Sequence, residues 1–81
     1  MLRLHQLPRG ARAQVSGVDA LVEPDPIAQR LRDLGFVAGE PVRLVTIGPV
    51  GGEPLLVQVG YTRFALRRAE AARVRVDLID D

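Results

Sequence analysis

The sequence predicts a mainly β domain, a small barrel of about five strands with one or two short helices. Three observations carry this. Apolar residues alternate with polar ones in several short runs, and period two is the mark of a half-buried strand. Only one stretch, Ile27 to Gly35, has helical spacing and both helix-end signals. The chain has 81 residues, so these strands cannot form a wide sandwich, whereas a curled sheet encloses one core and hides most of its edges.

The elements follow in order. Leu2, Leu4 and Leu7 precede Pro8 and Gly10, an apolar lead-in closed by a turn. From Ala11 to Val18, Ala11, Ala13 and Val15 alternate with Arg12, Gln14 and Ser16, a strand that Gly17 ends or bulges. Asp25 is a good N-cap and Pro26 suits the first helical position, where no N–H is needed. Ile27, Leu31 and Leu34 fall on one helix face, Gly35 stops the helix, and Arg30, Arg32 and Asp33 point to solvent. Nine residues make a marginal helix alone, so it must pack on the sheet.

Beyond Gly39 the chain reads as strands. Pro41 to Ile47 holds Val42, Leu44, Val45 and Ile47, and Gly48 to Glu53 reads as a long hairpin turn containing Gly51 and Gly52. Leu55, Val57 and Val59 alternate next, which leaves Leu56 on the opposite, exposed face. Gly60 permits a sharp bend that presents Tyr61, and Thr62, Phe64 and Leu66 continue the alternation. Arg68 to Ala72 is helix-prone and short enough for one turn, with Arg67 and Arg68 either paired with Glu70 or solvated. Val74, Val76 and Leu78 then alternate with Arg73, Arg75 and Asp77.

Composition narrows the chemistry. A single domain of 81 residues buries roughly 60–65% of its unfolded surface and has a stability of about 4–8 kcal/mol. The hydrophobic fraction of 47% suits a packed core. There is no Cys, so disulfides and thiolate metal sites are excluded. The first eight residues are too polar for a secretory h-region, and no apolar run reaches the ~20 residues of a membrane helix. A soluble, cytoplasmic protein is expected, meeting a membrane only through a partner. All eleven bases are Arg and they face ten acids, so the clear basic excess of a small nucleic-acid binder is missing.

No catalytic set is visible. The hydroxyls of Ser and Thr are Ser16, Thr46 and Thr62, and the one imidazole is His5, placed near a flexible end. Ser16, His5 and a carboxylate can be drawn as a triad, but nothing supplies an oxyanion hole. One His without Cys does not make an internal transition-metal site. No cofactor is expected; the metal chemistry left is a weak surface site for Fe²⁺ or Zn²⁺, with His5 joining a carboxylate of another chain. Gly48 to Gly52 lacks the Lys and Ser/Thr of a Walker loop. What remains is a binding surface. Tyr61, Arg63, Arg30 and Arg32 are of the types enriched in interface hot spots, and Leu56 joins them as an exposed apolar residue.

Three segments in order resemble the FeoA family. Leu31-Arg32-Asp33-Leu34-Gly35-Phe36-Val37-Ala38-Gly39 resembles its "RL-x-LG-hydrophobic-x-x-G" core. Pro49-Val50-Gly51-Gly52-Glu53-Pro54 resembles its central hairpin, with glycines where the family is often acidic or polar. Phe64-Ala65-Leu66-Arg67-Arg68-Ala69-Glu70-Ala71, with Val74-Arg75-Val76, resembles its closing segment. The match runs from about Leu4 to Val76 and gives Gly35, Gly39, Gly51, Gly52 and Gly60 structural roles. The resemblance implies an SH3-like barrel. It also implies a non-enzymatic cytosolic accessory of bacterial ferrous iron uptake, acting on the membrane transporter through that transporter's GTP-binding domain. Similar barrels end iron-dependent repressors, but this chain has no room for their helix-turn-helix. The other readings are a metal-responsive interaction domain and a small nucleic-acid-binding barrel. Oligomeric state and contact face are left open by the sequence.

Overall fold

The computed structural model describes residues 2–79. Its order is β1 (Leu2–Arg3), a 3-10 turn (Leu4–Gln6), β2 (Ala13–Val18), α1 (Pro26–Leu34), β3 (Pro41–Val50), β4 (Glu53–Val59), β5 (Thr62–Leu66), α2 (Arg68–Ala71) and β6 (Val74–Leu78). The six strands form one antiparallel sheet in the order β1-β6-β2-β3-β4-β5. The expected count was about five; the sixth is the two-residue β1, where Leu2 and Arg3 pair with Val76 and Arg75. The sheet curls round one core, and β1 and β5 remain as its unpaired edges.

Alternation builds that core as expected. Ala13 and Val15 of β2, Val42 and Leu44 of β3, Leu55, Val57 and Val59 of β4, and Val74 and Val76 of β6 are all buried. Leu4 and Leu7 plug one end. Phe36, buried just after α1, meets Phe64 at 5.9 Å between ring centroids with a 45° tilt, a favourable aromatic geometry. Gly17 sits at a β2–β6 register shift, where a Cβ would collide with the guanidinium of Arg75. The bulge lets Arg75 lie across the strand towards Asp19.

Local signals set α1. Asp25 Oδ1 accepts from the Ile27 and Ala28 amides, Pro26 opens the helix, and Gly35 closes it at φ 114°. The closing bonds run from the Gly35 amide to the Arg32 carbonyl and from the Phe36 amide to the Leu31 carbonyl, both 3.1 Å.

Several expectations need correction. The buried face of α1 is Ala28 and Leu31, with Leu34 half-buried; Ile27 is exposed. Ala28, fully buried, takes the inward position, and Ile27 lies beside it at the edge of that face. β2 begins at Ala13, not Ala11, because Gly10 and Ala11 are held in a turn by Gly10–Leu44 and Ala11–Pro8 backbone bonds. Gly48 and Pro49 belong to β3, so the turn is Gly51–Gly52 alone, at φ 63° and 74°. Positive φ at both central residues is what a type I′ turn demands, and two glycines meet it without a longer loop. The ladder bulges between Ile47 and Val50, where Gly48 passes so close to the Glu53–Pro54 backbone that a Cβ has no room. Thr62 is exposed at the start of β5, and Leu78 is half-exposed where β6 outruns the core.

Candidate partner-binding surface

The polar framework accounts first for the arginines that hold the fold. Asp25 Oδ2 accepts from Arg73 Nε at 2.8 Å and from the Leu21 amide at 2.9 Å. With the two helix amides on Oδ1, this buried carboxylate receives four donors. Arg73 also donates to the Ala69 carbonyl at 2.7 Å, so one pair ties α1, the 19–25 loop, α2 and β6 together. The hydrogen bond from Arg73, reinforced by the Leu21 amide, holds the Asp25 carboxyl well below the usual carboxylate range. Asp19 is shared at the surface by Arg3 (2.7 Å) and Arg75 (3.0 Å) and is lowered too, chiefly by the Arg3 hydrogen bond.

The residues expected at a binding surface divide. Tyr61 is fully exposed at the tip of the β4–β5 hairpin. Its turn is Gly60–Tyr61, with φ 58° at Gly60 alone, the pattern of a type II′ turn. Arg63 is exposed on β5, its Nε 3.2 Å from Gln58 Oε1. Arg30 is exposed on α1 and lines a narrow groove of about 60 Å³ between α1 and β5. The groove floor is Leu31, Leu34, Phe64 and Leu66, with Ile27 and Glu70 at its rim.

Arg32 is exposed too, but it is engaged within the fold. Its guanidinium donates to the Val18 carbonyl at 2.8 Å and fastens α1 to the end of β2. Leu56 is half-buried, paired across the strands with Ala65 and Thr46. Glu70 pairs with neither the Arg67 nor the Arg68 side chain. Its carboxylate accepts from the Arg67 backbone amide at 2.7 Å and so caps α2, while Glu53 takes the Arg68 amide.

His5 is held in the 3-10 turn after β1, not on a loose end. Its Nδ1 is buried without a hydrogen-bond partner among the described residues. Burial lowers its pKa, and the charges of Arg68 and Arg3 lower it further. The same two cations work against a metal ion there. Among the described residues no three His, Cys, Asp or Glu side chains converge as a metal site. Ser16 donates its hydroxyl to Asp77 at 2.6 Å, away from any triad geometry. No helix among the described residues is long and apolar enough to cross a membrane.

Sequence reasoning missed the groove, because only tertiary structure sets Ile27 and Leu34 against Phe64. It also missed a shallow depression of about 240 Å³ on the sheet, lined by Arg43, Gln58 and Ile79 among others.

Comparison with known proteins places this geometry. Residues 2–78 match the model of the FeoA domain. The FeoA of Stenotrophomonas maltophilia, solved as a complex with zinc, is 61% identical over 95% of this chain and 91% of its own, with a TM-score of 0.87. It is described as a procaryotic SH3 domain protein and a candidate bacterial ferrous iron transport activating factor. The FeoA protein of Chlorobium tepidum is 30% identical, covering 98% of this chain and 71% of its own, with a TM-score of 0.81. Iron(II) transport protein A of Clostridium thermocellum is 26% identical over 96% of this chain and 46% of its own, at a TM-score of 0.82. No curated protein matches the chain.

Proposed function

The chain belongs to the FeoA family, SH3-like domains associated with ferrous iron transport, and from that membership we propose a non-enzymatic cytosolic accessory of the ferrous iron transporter. It acts by binding the transporter's cytosolic GTP-binding domain and tuning its activity. The carrying observation is the 61% identity, over nearly the whole chain, with a protein described as a candidate transport activating factor. Tyr61, Arg30 and Arg63 support the reading as exposed residues of hot-spot type on neighbouring elements. Any nucleotide chemistry then belongs to the partner.

The test is a titration of the purified GTP-binding domain with this chain, in the GTP, GDP and nucleotide-free states. Saturable binding in at least one state is expected, weakened about fivefold or more by Tyr61→Ala or Arg63→Glu. No binding in any state, together with unchanged iron uptake on deletion, would overturn the proposal.

The Stenotrophomonas relative was solved with zinc, and a second reading is a surface contact between chains bridged by Fe²⁺ or Zn²⁺ at His5, which would have to form against the charges of Arg3 and Arg68. Light scattering with and without each metal, repeated on His5→Ala, decides it. A metal-dependent mass increase that His5→Ala abolishes supports the bridge, and an unchanged mass sinks it.

A further inference from the structure

The strand β5 is an edge of the sheet and pairs only with β4. Its register with β4 is unbroken from Val59–Thr62 to Leu55–Leu66. The two-residue Gly60–Tyr61 turn makes Val59–Thr62 a pair that exchanges both backbone bonds. Bonded and non-bonded pairs then alternate, so Val57–Phe64 and Leu55–Leu66 are bonded. Arg63 and Ala65 therefore turn their N–H and C=O groups away from β4. Among the described residues no backbone hydrogen bond reaches those four groups.

Two further features sit at this edge. On the Phe64 and Leu66 face runs the apolar groove against α1, with Ile27 38% exposed at its rim. On the other face stand Arg63 and, because the chain stays extended there, Arg67. Arg30 borders the groove itself. None of these three arginines forms an ion pair with a carboxylate among the described residues.

We propose that β5 accepts an extended, acidic–apolar segment of a partner protein as a seventh strand. The segment's backbone pairs with Arg63 and Ala65. Its alternate side chains divide between the faces, apolar ones entering the α1–β5 groove and carboxylates meeting Arg63 and Arg67. Strand addition of this kind takes its affinity from main-chain bonds and its selectivity from alternate side chains. Positive charge along an edge ordinarily discourages pairing. An acidic strand is the occupant that turns the same charge into attraction. A second copy of this chain is a poor occupant, because edge-to-edge pairing sets the arginines of two β5 strands side by side.

This inference deepens the proposed function, resting on it for who the partner is but not for the chemistry of the surface. The probe is a blocked heptapeptide of alternating Val and Glu, with a Val and Lys peptide as control. Amide NMR of the full chain should show saturable shifts along β5 and slowed exchange at the Arg63 and Ala65 amides with the Glu peptide alone. The exposed double variant Arg63→Glu, Arg67→Glu should weaken binding about tenfold or more and prefer the Lys peptide. Ala65→Pro, which removes an outward-facing donor, should abolish the protection. Shifts centred on the Arg43–Gln58 depression, equal binding of both peptides, or no binding would overturn the inference. So would β5 amides already protected without peptide in a dimer, which makes a second copy the occupant. If the double variant binds the transporter's GTP-binding domain unchanged, the edge fails and so does the contact role of Arg63, while binding of that domain stands. If the Glu peptide binds β5 but that domain never does, the edge stands and the proposed function fails.

Discussion

Arginine does two different jobs on the two sides of this small sheet. Beside β6, Arg73 and Arg75, with Arg3 and Arg32, are spent on Asp25, Asp19 and the Val18 carbonyl. Beside β5, Arg30, Arg63 and Arg67 are exposed and form no ion pair with a carboxylate among the described residues. The residue type and its planar fork are the same on both sides. What differs is desolvation. Arg73 and Asp25 are each 8% exposed, so each holds a charge the other must satisfy. The β5 arginines keep their water and contribute little to stability, which leaves them available to another molecule.

The sharpest way to break this contrast is to remove one partner of the buried pair. Arg73→Met keeps most of the side-chain volume and leaves the buried Asp25 carboxylate its three amide donors but no counter-charge. The expected loss is about 3–5 kcal/mol in a urea melt, most of the stability of a domain this size. A loss below about 1 kcal/mol would place Arg73 with the solvent-facing arginines.

Acid sharpens the same point from the other partner. The Asp25 pKa is depressed in the folded state by its hydrogen bonds from Arg73 and Leu21. Its stabilisation is therefore present above the unfolded value of about 3.9 and is lost as pH falls from there towards the folded value. Thermal melts should show Tm falling steeply below about pH 4. His5 has the same sign in a higher window, because its folded pKa is also lowered, so a shallow decline begins as pH drops below about 6.5. His5→Gln should flatten the shallow part alone.

Asp19 tests the exposed middle case. Its side chain is 38% exposed and shared by two arginines, themselves about a third exposed. Asp19→Asn should cost under about 1 kcal/mol, and most of that should vanish in 1 M salt. A cost as large as that of Arg73→Met would mean that exposure does not separate the two groups.

How much of this could be read in the sequence follows the range of each interaction. The ends of α1 were legible, because Asp25, Pro26 and Gly35 act on backbone groups two to four residues away. The alternation in β4 was legible for the same reason, since its inward face is fixed by period alone. The same Asp25 shows the limit. Its cap is local, but its ionic partner lies 48 residues on, and nothing near Arg73 marks it as different from Arg63. Arg32 is exposed, as its place on the helix predicts, but its bond to the Val18 carbonyl was not legible, because that acceptor is a backbone atom 14 residues back that any residue could supply. Pro49 and Gly48 read as a turn because both break ladders, yet a bulge absorbs them and β3 runs on to Val50. Spacing predicts Ile27 on the buried face, but Ala28 holds that position and Ile27 lies at the rim of the groove. Tyr61, Arg63 and Arg30 were found from residue type, but the edge and groove that connect two of them exist only once β5 has paired.

The smallest expected effect carries the other half of the contrast. Arg30→Ala, Arg63→Ala and Arg67→Ala should each change stability by no more than about 0.5 kcal/mol, because each removes an exposed charge that no carboxylate among the described residues holds. Their effects should add, since they share no carboxylate partner among the described residues. A triple variant should therefore melt within a few degrees of the parent while losing its affinity for an acidic strand. If it instead unfolds like Arg73→Met, these arginines belong to the scaffold, and the β5 side has no charge to spare for a partner.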